Sequence, residues 1–364
     1  MGENELIPYK PGQASACPKD PHDKRDYSYD EVVAATAPVV IDWKKGYDIR
    51  NTLGGDIKIK NQFQSLSCVG QGWSYYIWVK QIIEMIGKYH LKLPKLEMNH
   101  RNDIDQVSSK AIYSQIFIKN KGGAYIRDGA KLLVDWGSLF ERDVPSINYK
   151  TKSASEDYMR DKAWINSSMD RLAKTLQGLE YAVLNANDNM DLFAQAIMHN
   201  HGVVGGVVGQ NGRGWGTENP KPPADATNLW RHCVYYGAFG TDEKGKFIAT
   251  PNSWGTGFKP DNIEWKPGDP PGFGWQKLRA DYFNKKWQFN PWTYIDKSNQ
   301  PDMATNVKII KDKDSPSVGI WIPALSPIAI ESYCLNFGIN VPKKENGDID
   351  WDNFIDGELS LNSK

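Results

Sequence analysis

The chain has 364 residues, and its 44 Lys and Arg are balanced by 44 Asp and Glu. A charged fraction of 24% and a hydrophobic fraction of 40% are those of a globular chain with a substantial core, and they exclude collagen-like, coiled-coil and broadly disordered classes. Zero net charge argues against a protein that coats nucleic acid or an anionic membrane, and no apolar run reaches the roughly 18–20 residues of a membrane span.

Residues 1–40 are polar, rich in Pro, Asp and Lys, and read as an extended N-terminal segment. They begin MGENELIPYKPGQ, without the basic-then-apolar pattern of a secretory signal, so a cytoplasmic or virion-associated location is expected. The compact region opens at VVIDW (39–43); Gly54-Gly55 marks a turn, and the alternation in IKIK (57–60) predicts a short strand. In the stretch VGQGWSYYIWVKQIIEMIG, residues Trp73, Tyr76, Ile77, Val79, Ile82, Ile83 and Ile86 recur at helical steps. That pattern predicts a buried helix opening at Cys68 and stopping at Gly87. Helices are expected over 111–118, 125–136 and 190–199, the last capped by Asp188, and an exposed helical stretch over 150–178. Strands are expected over 179–184, 202–208, 232–239 and 246–250, the last two forming a hairpin about TDEKG. The main domain spans 41–296, residues 297–306 read as a linker, and 307–364 form a small C-terminal module with two strands and a helix, SPIAIESYCLNFG.

The 14 Trp, 17 Tyr and 12 Phe fit either a core of large side chains or a surface that stacks on sugar rings or peptide side chains. Cys17, Cys68, Cys233 and Cys334 form no CxxC and lie far apart, which disfavours a disulfide framework or a zinc site. Cys17 reads as an exposed loop residue and Cys334 as part of an apolar helix face. His199 and His201 lack a carboxylate or thiol partner at useful spacing, so helix C-capping is preferred to metal binding.

Three pieces of the chain carry reactive groups. Gln62 precedes Cys68 by six residues, ahead of a helix; His232 opens a strand; and Asn252 follows the next strand in Asn-Ser-Trp-Gly. The thiolate is the nucleophilic form of cysteine, and a helix N-terminus favours it through unpaired N–H groups and partial positive charge. An imidazolium favours it further and can protonate a leaving amine. An Asn amide can hold such a ring, and a Gln amide together with the Cys68 N–H can stabilise an oxyanion, each donor contributing about 3–4 kcal/mol.

Lys60-Asn61-Gln62, Cys68, His232 and Asn252-Ser253-Trp254-Gly255-Thr256-Gly257 stand in the order found in papain-like cysteine peptidases, and over residues 20–296 the chain resembles that family, in particular its bacterial and phage branch. Asp42-Trp43 is similar to the start of the mature domain, and Gly122-Gly123-Ala124-Tyr125 to the turn lining the substrate cleft. GFGWQKLRADYF is similar to the strand that follows the Asn motif. The resemblance implies an α+β, two-lobe fold, with a helical lobe and a β-rich, barrel-like lobe, here with a small C-terminal α/β extension. It implies catalysis by Cys68, His232, Asn252 and Gln62, substrate contact at Gly122, Gly123 and Trp254, and no metal or organic cofactor. Trp254 is also suited to pack over the Asn–His pair, and Trp215 to line the cleft. The chain departs from the family at single residues and in length: Ser65 stands where the family has a disulfide cysteine, Val69 where it has Trp, Arg231 precedes the His, and insertions at 88–109, 150–178 and 259–272 exceed the usual loops and are placed to reshape or cover the cleft. Alternation along the strand turns Cys233 away from the face of His232.

The expected activity is endopeptidase cleavage of peptide or protein substrates through a thioester. Two other readings stand beside it. One is a structural or binding protein of a phage particle or other assembly, with a covered or vestigial cleft, docking its partner through 307–364. The other is a hydrolase of cell-wall peptides. Neither nucleic acid nor membrane is an expected partner.

Overall fold

The computed structural model describes residues 17–23, 26–30, 40–53, 57–89, 106–119, 121–177, 180–185, 188–255, 274–295, 308–311 and 318–321. The chain divides into two compact units between Ser298 and Asn299. In the second unit, strands Lys308–Lys311 and Val318–Trp321 pair antiparallel, with Ile309 opposite Ile320. The helix expected over SPIAIESYCLNFG, with Cys334, lies outside the described residues, as do the insert at 259–272 and most of 88–109.

The first unit is built around a helix, Cys68–Tyr89, whose Trp73, Tyr76, Ile77 and Val79 are all fully buried. It runs past Gly87 to Tyr89, so the roughly 1 kcal/mol that an interior glycine costs does not end it. Numbering in chain order, helices α1 to α7 are Ile49–Leu53, Cys68–Tyr89, Ser109–Ile116, Ile126–Asp135, Glu156–Arg160, Ser167–Ala173 and Met190–Asn200. Helix α4 crosses α2 at Gly129, where a Cβ would sit 2.3 Å from the Trp73 ring, and the Trp73 indole N–H donates to the Ile126 carbonyl at 2.8 Å. The stretch expected to be helical over 150–178 resolves into α5, α6 and a 3-10 turn, with Ser155 and Asn166 accepting from the first backbone N–H groups of the two helices. Asn189, not Asp188, caps α7.

Strands β1 to β9 are Tyr27–Ser28, Tyr47–Asp48, Glu180–Val183, Val203–Gln210, Leu229–Tyr236, Ala238–Asp242, Gly245–Pro251, Trp275–Arg279 and Gln288–Ile295. They form a five-stranded sheet, in the order β1-β3-β9-β4-β5, and a four-stranded sheet, β2-β6-β7-β8. The fold is α+β, but the sheets stay open: no closed barrel exists among the described residues. Two strand expectations need correction. The apolar run from His232 to Phe239 is two strands. It breaks at Gly237, where a Cβ would lie 2.8 Å from the Tyr235 ring, and β6 then joins the second sheet by pairing with β7. IKIK is not a strand, because Lys60 turns inward: its N–H donates to the Tyr75 hydroxyl at 2.5 Å and its Nζ to the Val107 carbonyl at 2.8 Å. The crossover at Gly237 puts His232 on one sheet, while Asn252 directly follows β7 of the other.

Candidate active site

Cys68 is the first residue of α2, so its N–H is among the four that a helix leaves without an internal partner. Ser67 precedes it, and the Ser67 carbonyl accepts the first helical bond from the Gln71 N–H at 3.0 Å. Ser65 fills the position where a disulfide cysteine was noted as missing. Its hydroxyl pairs with Ser67 Oγ at 2.7 Å and donates to the Gln62 carbonyl at 2.7 Å. Gln71 links Ser67 to Ser109, its Nε2 donating to Ser67 Oγ at 3.2 Å and its Oε1 accepting from Ser109 Oγ at 2.7 Å. A buried polar network thus braces the loop before Cys68 without a covalent bond. Glu156 adds a brace from α5, accepting from the Leu66 N–H at 2.6 Å, from the Tyr113 hydroxyl at 2.5 Å and from Arg160 Nε at 2.7 Å.

His232 and Asn252 come together, with Nε2 to Oδ1 at 2.9 Å. Both are buried. The orientation of this pair follows from its neighbours. The Trp215 carbonyl can only accept, so the amide Nε2 of Gln276 faces it at 3.0 Å. Gln276 Oε1 therefore faces Asn252 Nδ2, at 2.9 Å. Asn252 Oδ1 is then left to accept from the Ser253 backbone N–H at 2.7 Å and from His232 Nε2. A backbone acceptor at one end and a backbone donor at the other fix the His232 tautomer with the proton on Nε2. The remaining ring nitrogen, Nδ1, has no oxygen or nitrogen partner and is the one available to the Cys68 thiol.

Tryptophans enclose this pair. Trp254 stacks on His232 with centroids 5.0 Å apart and planes 24° apart, while Trp215 and Trp230 meet the ring edge-on. Trp215 is tied down by its indole N–H, which donates to the Tyr282 hydroxyl at 2.9 Å. In this half of the site the aromatic load therefore serves packing. Gln62 lies beside the loop before Cys68: Oε1 accepts from Ser253 Oγ at 2.6 Å, and Nε2 donates to the Ser65 carbonyl at 2.9 Å, leaving its second amide hydrogen unused. Gly122 and Gly123 adopt positive φ of 75° and 69°, and the Gly123 N–H donates to the Tyr113 hydroxyl at 2.9 Å. A Cβ at Gly122 would meet Leu66 at 2.4 Å, so only glycine lets this turn approach the loop before Cys68.

One sequence expectation is overturned. Cys17 is not an exposed loop residue but has no solvent exposure at all, because the segment carrying it is docked. Asp20 Oδ2 accepts from the Trp292 indole at 2.7 Å and from the Arg127 N–H at 3.2 Å, while the Asp20 N–H donates to Asn290 at 2.9 Å. The Arg127 side chain donates to Asp26 and to the Pro21 carbonyl, each at 3.1 Å. The Cys17 thiol hydrogen-bonds the thiols of both Cys68 and Cys233. Cys68, also without exposure, has its pKa pushed well up, first by the hydrogen bond it donates to Cys17 and then by burial, against the downward pull of His232. Cys233 lies near the start of α2: its sulfur is 3.2 Å from where a Gly72 Cβ would be, one helical turn beyond Cys68. Sequence reasoning also missed Gln276, whose partners lie 24 and 61 residues away and leave no local pattern. His201 takes the left-handed conformation that ends α7, and no cluster of metal-ligating side chains occurs among the described residues.

A known structure shares this architecture. Xylellain, a cysteine protease from Xylella fastidiosa, superposes with a TM-score of 0.54 at 18% identity, over 79% of this chain and 98% of its own. The fold is papain-like. The proform of the ragweed pollen cysteine protease Amb a 11 matches 76% of this papain-like chain and 72% of its own, at 16% identity and a TM-score of 0.48. The cysteine protease and lectin-like domains of Cwp84 from Clostridium difficile match 80% of this chain and 57% of theirs, at 14% identity and a TM-score of 0.46. No protein-family profile and no curated protein matches the chain by sequence.

Proposed function

We propose that this papain-like chain is a cysteine endopeptidase acting on peptide or protein substrates. The observation that supports the reading is the anchored relay from the Trp215 carbonyl through Gln276 and Asn252 to His232, which holds the ring proton on Nε2 and leaves Nδ1 as the basic nitrogen for the Cys68 thiol. In this reading the Cys68 thiol gives its proton to His232 Nδ1, and the sulfur attacks the peptide carbonyl. The oxyanion is held by the Cys68 N–H and the unused amide hydrogen of Gln62. His232 then protonates the departing amine, leaving a thioester. Water, deprotonated by His232, attacks the thioester, releasing the acid and restoring the thiol. With both N–H groups of the turn engaged by Ile118 and Tyr113, Gly122 and Gly123 offer an extended substrate their carbonyl oxygens beside the Cys68 loop, and Trp254 keeps water from the Asn252–His232 bond. The C-terminal unit is an attachment point for an assembly partner in this proposal.

A second reading, a scaffold whose cleft is covered, draws on the full burial of Cys68 under Cys17. One experiment separates the two: labelling with an epoxide thiol-peptidase inhibitor, located by mass spectrometry, on the wild type, on His232→Ala and on Asp20→Ala, which unfastens the docked segment. The peptidase reading expects labelling at Cys68 that is lost in His232→Ala and accelerated in Asp20→Ala, together with cleavage of a denatured protein substrate. An Asp20→Ala chain that folds but leaves Cys68 unlabelled would favour the scaffold.

A further inference from the structure

Cys17 is a buried thiol that the proposed chemistry does not use. It comes from the N-terminal segment, yet it shares a thiol cluster with Cys68 and Cys233. Three features build that cluster. Asp20, three residues on, is fastened to Trp292, Asn290 and the Arg127 N–H, so Cys17 returns to the same place each time the segment docks. Gly72 has no side chain, which makes room for Cys233 one turn along the helix from Cys68. All three sulfurs belong to one hydrophobic cluster from which solvent is excluded.

We infer that Cys17 is the resolving partner of Cys68: in the presence of a small-molecule disulfide the two thiols join in a Cys17–Cys68 disulfide that closes the site covalently. The chemistry proceeds in two exchanges. When the 17–20 stretch lifts, the Cys68 thiolate, its proton taken by His232, attacks one sulfur of the small disulfide. A Cys68 mixed disulfide forms and the first small thiolate leaves. As the stretch redocks, the Cys17 thiolate attacks the Cys68 sulfur, and the second small thiolate leaves. Two protein thiols are oxidised, one small disulfide is reduced to two thiols, and the two protein protons pass to the released thiolates. Cys17 outcompetes solution thiols for the second step, because a tethered group has an effective concentration in the millimolar range. Reduction restores the noncovalent cover, so the same thiol guards the site in both redox states. The inference does not depend on peptide cleavage.

The test uses the full chain with oxidised glutathione, alkylation of the remaining thiols, and tryptic mapping without reduction. Cys17, Cys68 and Cys233 fall in three separate tryptic peptides, 1–19, 61–80 and 232–244, so each linkage is assigned directly. The expected product is the 1–19/61–80 pair, exceeding the Cys68–glutathione adduct about tenfold when free glutathione is kept near about 0.1 mM, and lost on reduction. In Cys17→Ser the pair vanishes and Cys68 carries glutathione, whereas in Cys233→Ser the pair still forms. A wild-type chain with glutathionylated Cys68 beside free Cys17, or with Cys17 joined to Cys233, would overturn the inference. So would thiols left unreacted under conditions that oxidise the chain in denaturant. Should Cys17→Ser misfold, Cys17→Ala supplies the same comparison.

Discussion

Gln276 touches neither the thiol nor the imidazole, yet the relay gives it control of both. It is fully buried; Oε1 accepts from Asn252 and Nε2 donates to the Trp215 carbonyl. In Gln276→Leu, both partners lose a bond in a site that water does not reach, and each orphaned group costs about 1–3 kcal/mol. Stability should fall by about 2–4 kcal/mol. The more specific consequence lies at Asn252, which keeps only the Ser253 N–H to hold Oδ1 rather than Nδ2 toward His232. If about 1.4–2.7 kcal/mol of that loss is felt in the protonated ring, epoxide labelling of Cys68 slows about 10- to 100-fold. The acid limb of its pH profile should also move to higher pH, because a less stabilised imidazolium holds the thiolate less well. Both readouts are taken with inhibitor dilute enough that labelling stays first order in inhibitor. A double-mutant cycle with Asn252→Ala isolates the route: if Gln276 acts only through Asn252, the double variant labels no more slowly than Asn252→Ala alone. A Gln276→Leu chain that melts earlier but labels Cys68 at the wild-type rate, with an unmoved acid limb, would refute the reasoning and leave Gln276 a packing residue.

Other consequences can be measured in the same chain. Burial, against hydrogen bonds from Trp292 and the Arg127 N–H, raises the Asp20 pKa from 3.8 to about 6. Because the folded value lies above the unfolded one, the carboxylate form is the costly one: docking at Asp20 is unpenalised below pH ~4 and loses up to about 3 kcal/mol as pH rises through ~6. Cys68 labelling should therefore speed up between pH ~5 and ~7 by more in the wild type than in Asp20→Asn, and equal pH dependence in the two would sink this account. Glu156→Gln keeps the size of the side chain but weakens its acceptance from Leu66, Tyr113 and Arg160. It should cost about 2–3 kcal/mol in urea unfolding, and Cys68 labelling should slow as the loop loosens. Gly129→Ala places a methyl 2.3 Å from the Trp73 ring; a loss of about 1–3 kcal/mol in thermal unfolding is expected, and an unchanged Tm would show that the helices can part freely.

The long helix was legible from its apolar spacing, because seven large side chains at helical steps leave few alternatives, and the Gln62, Cys68, His232 and Asn252 order pointed to a papain-like fold. What escaped the sequence was long-range. IKIK alternates like a strand, but no local signal reveals that Lys60 has buried partners at Val107 and Glu141. The run through Gly237 looks like one strand, since what breaks it is the Tyr235 ring and Ile49, contacts that exist only in three dimensions. Cys17 looked exposed because composition describes a segment's average, whereas Asp20 and Arg127 fasten this one at particular points.

The N-terminal segment does more than approach a thiol. Its Tyr27–Ser28 pairs in parallel with Ala182 and Val183, as the outermost strand of the five-stranded sheet. Lifting that strand along with the rest of the segment leaves the N–H and C=O groups on the far side of Glu180–Val183 open to any extended chain nearby. Uncovering the thiol and baring a template for strand addition are then one event, so a chain with its segment undocked trades self-restraint for stickiness.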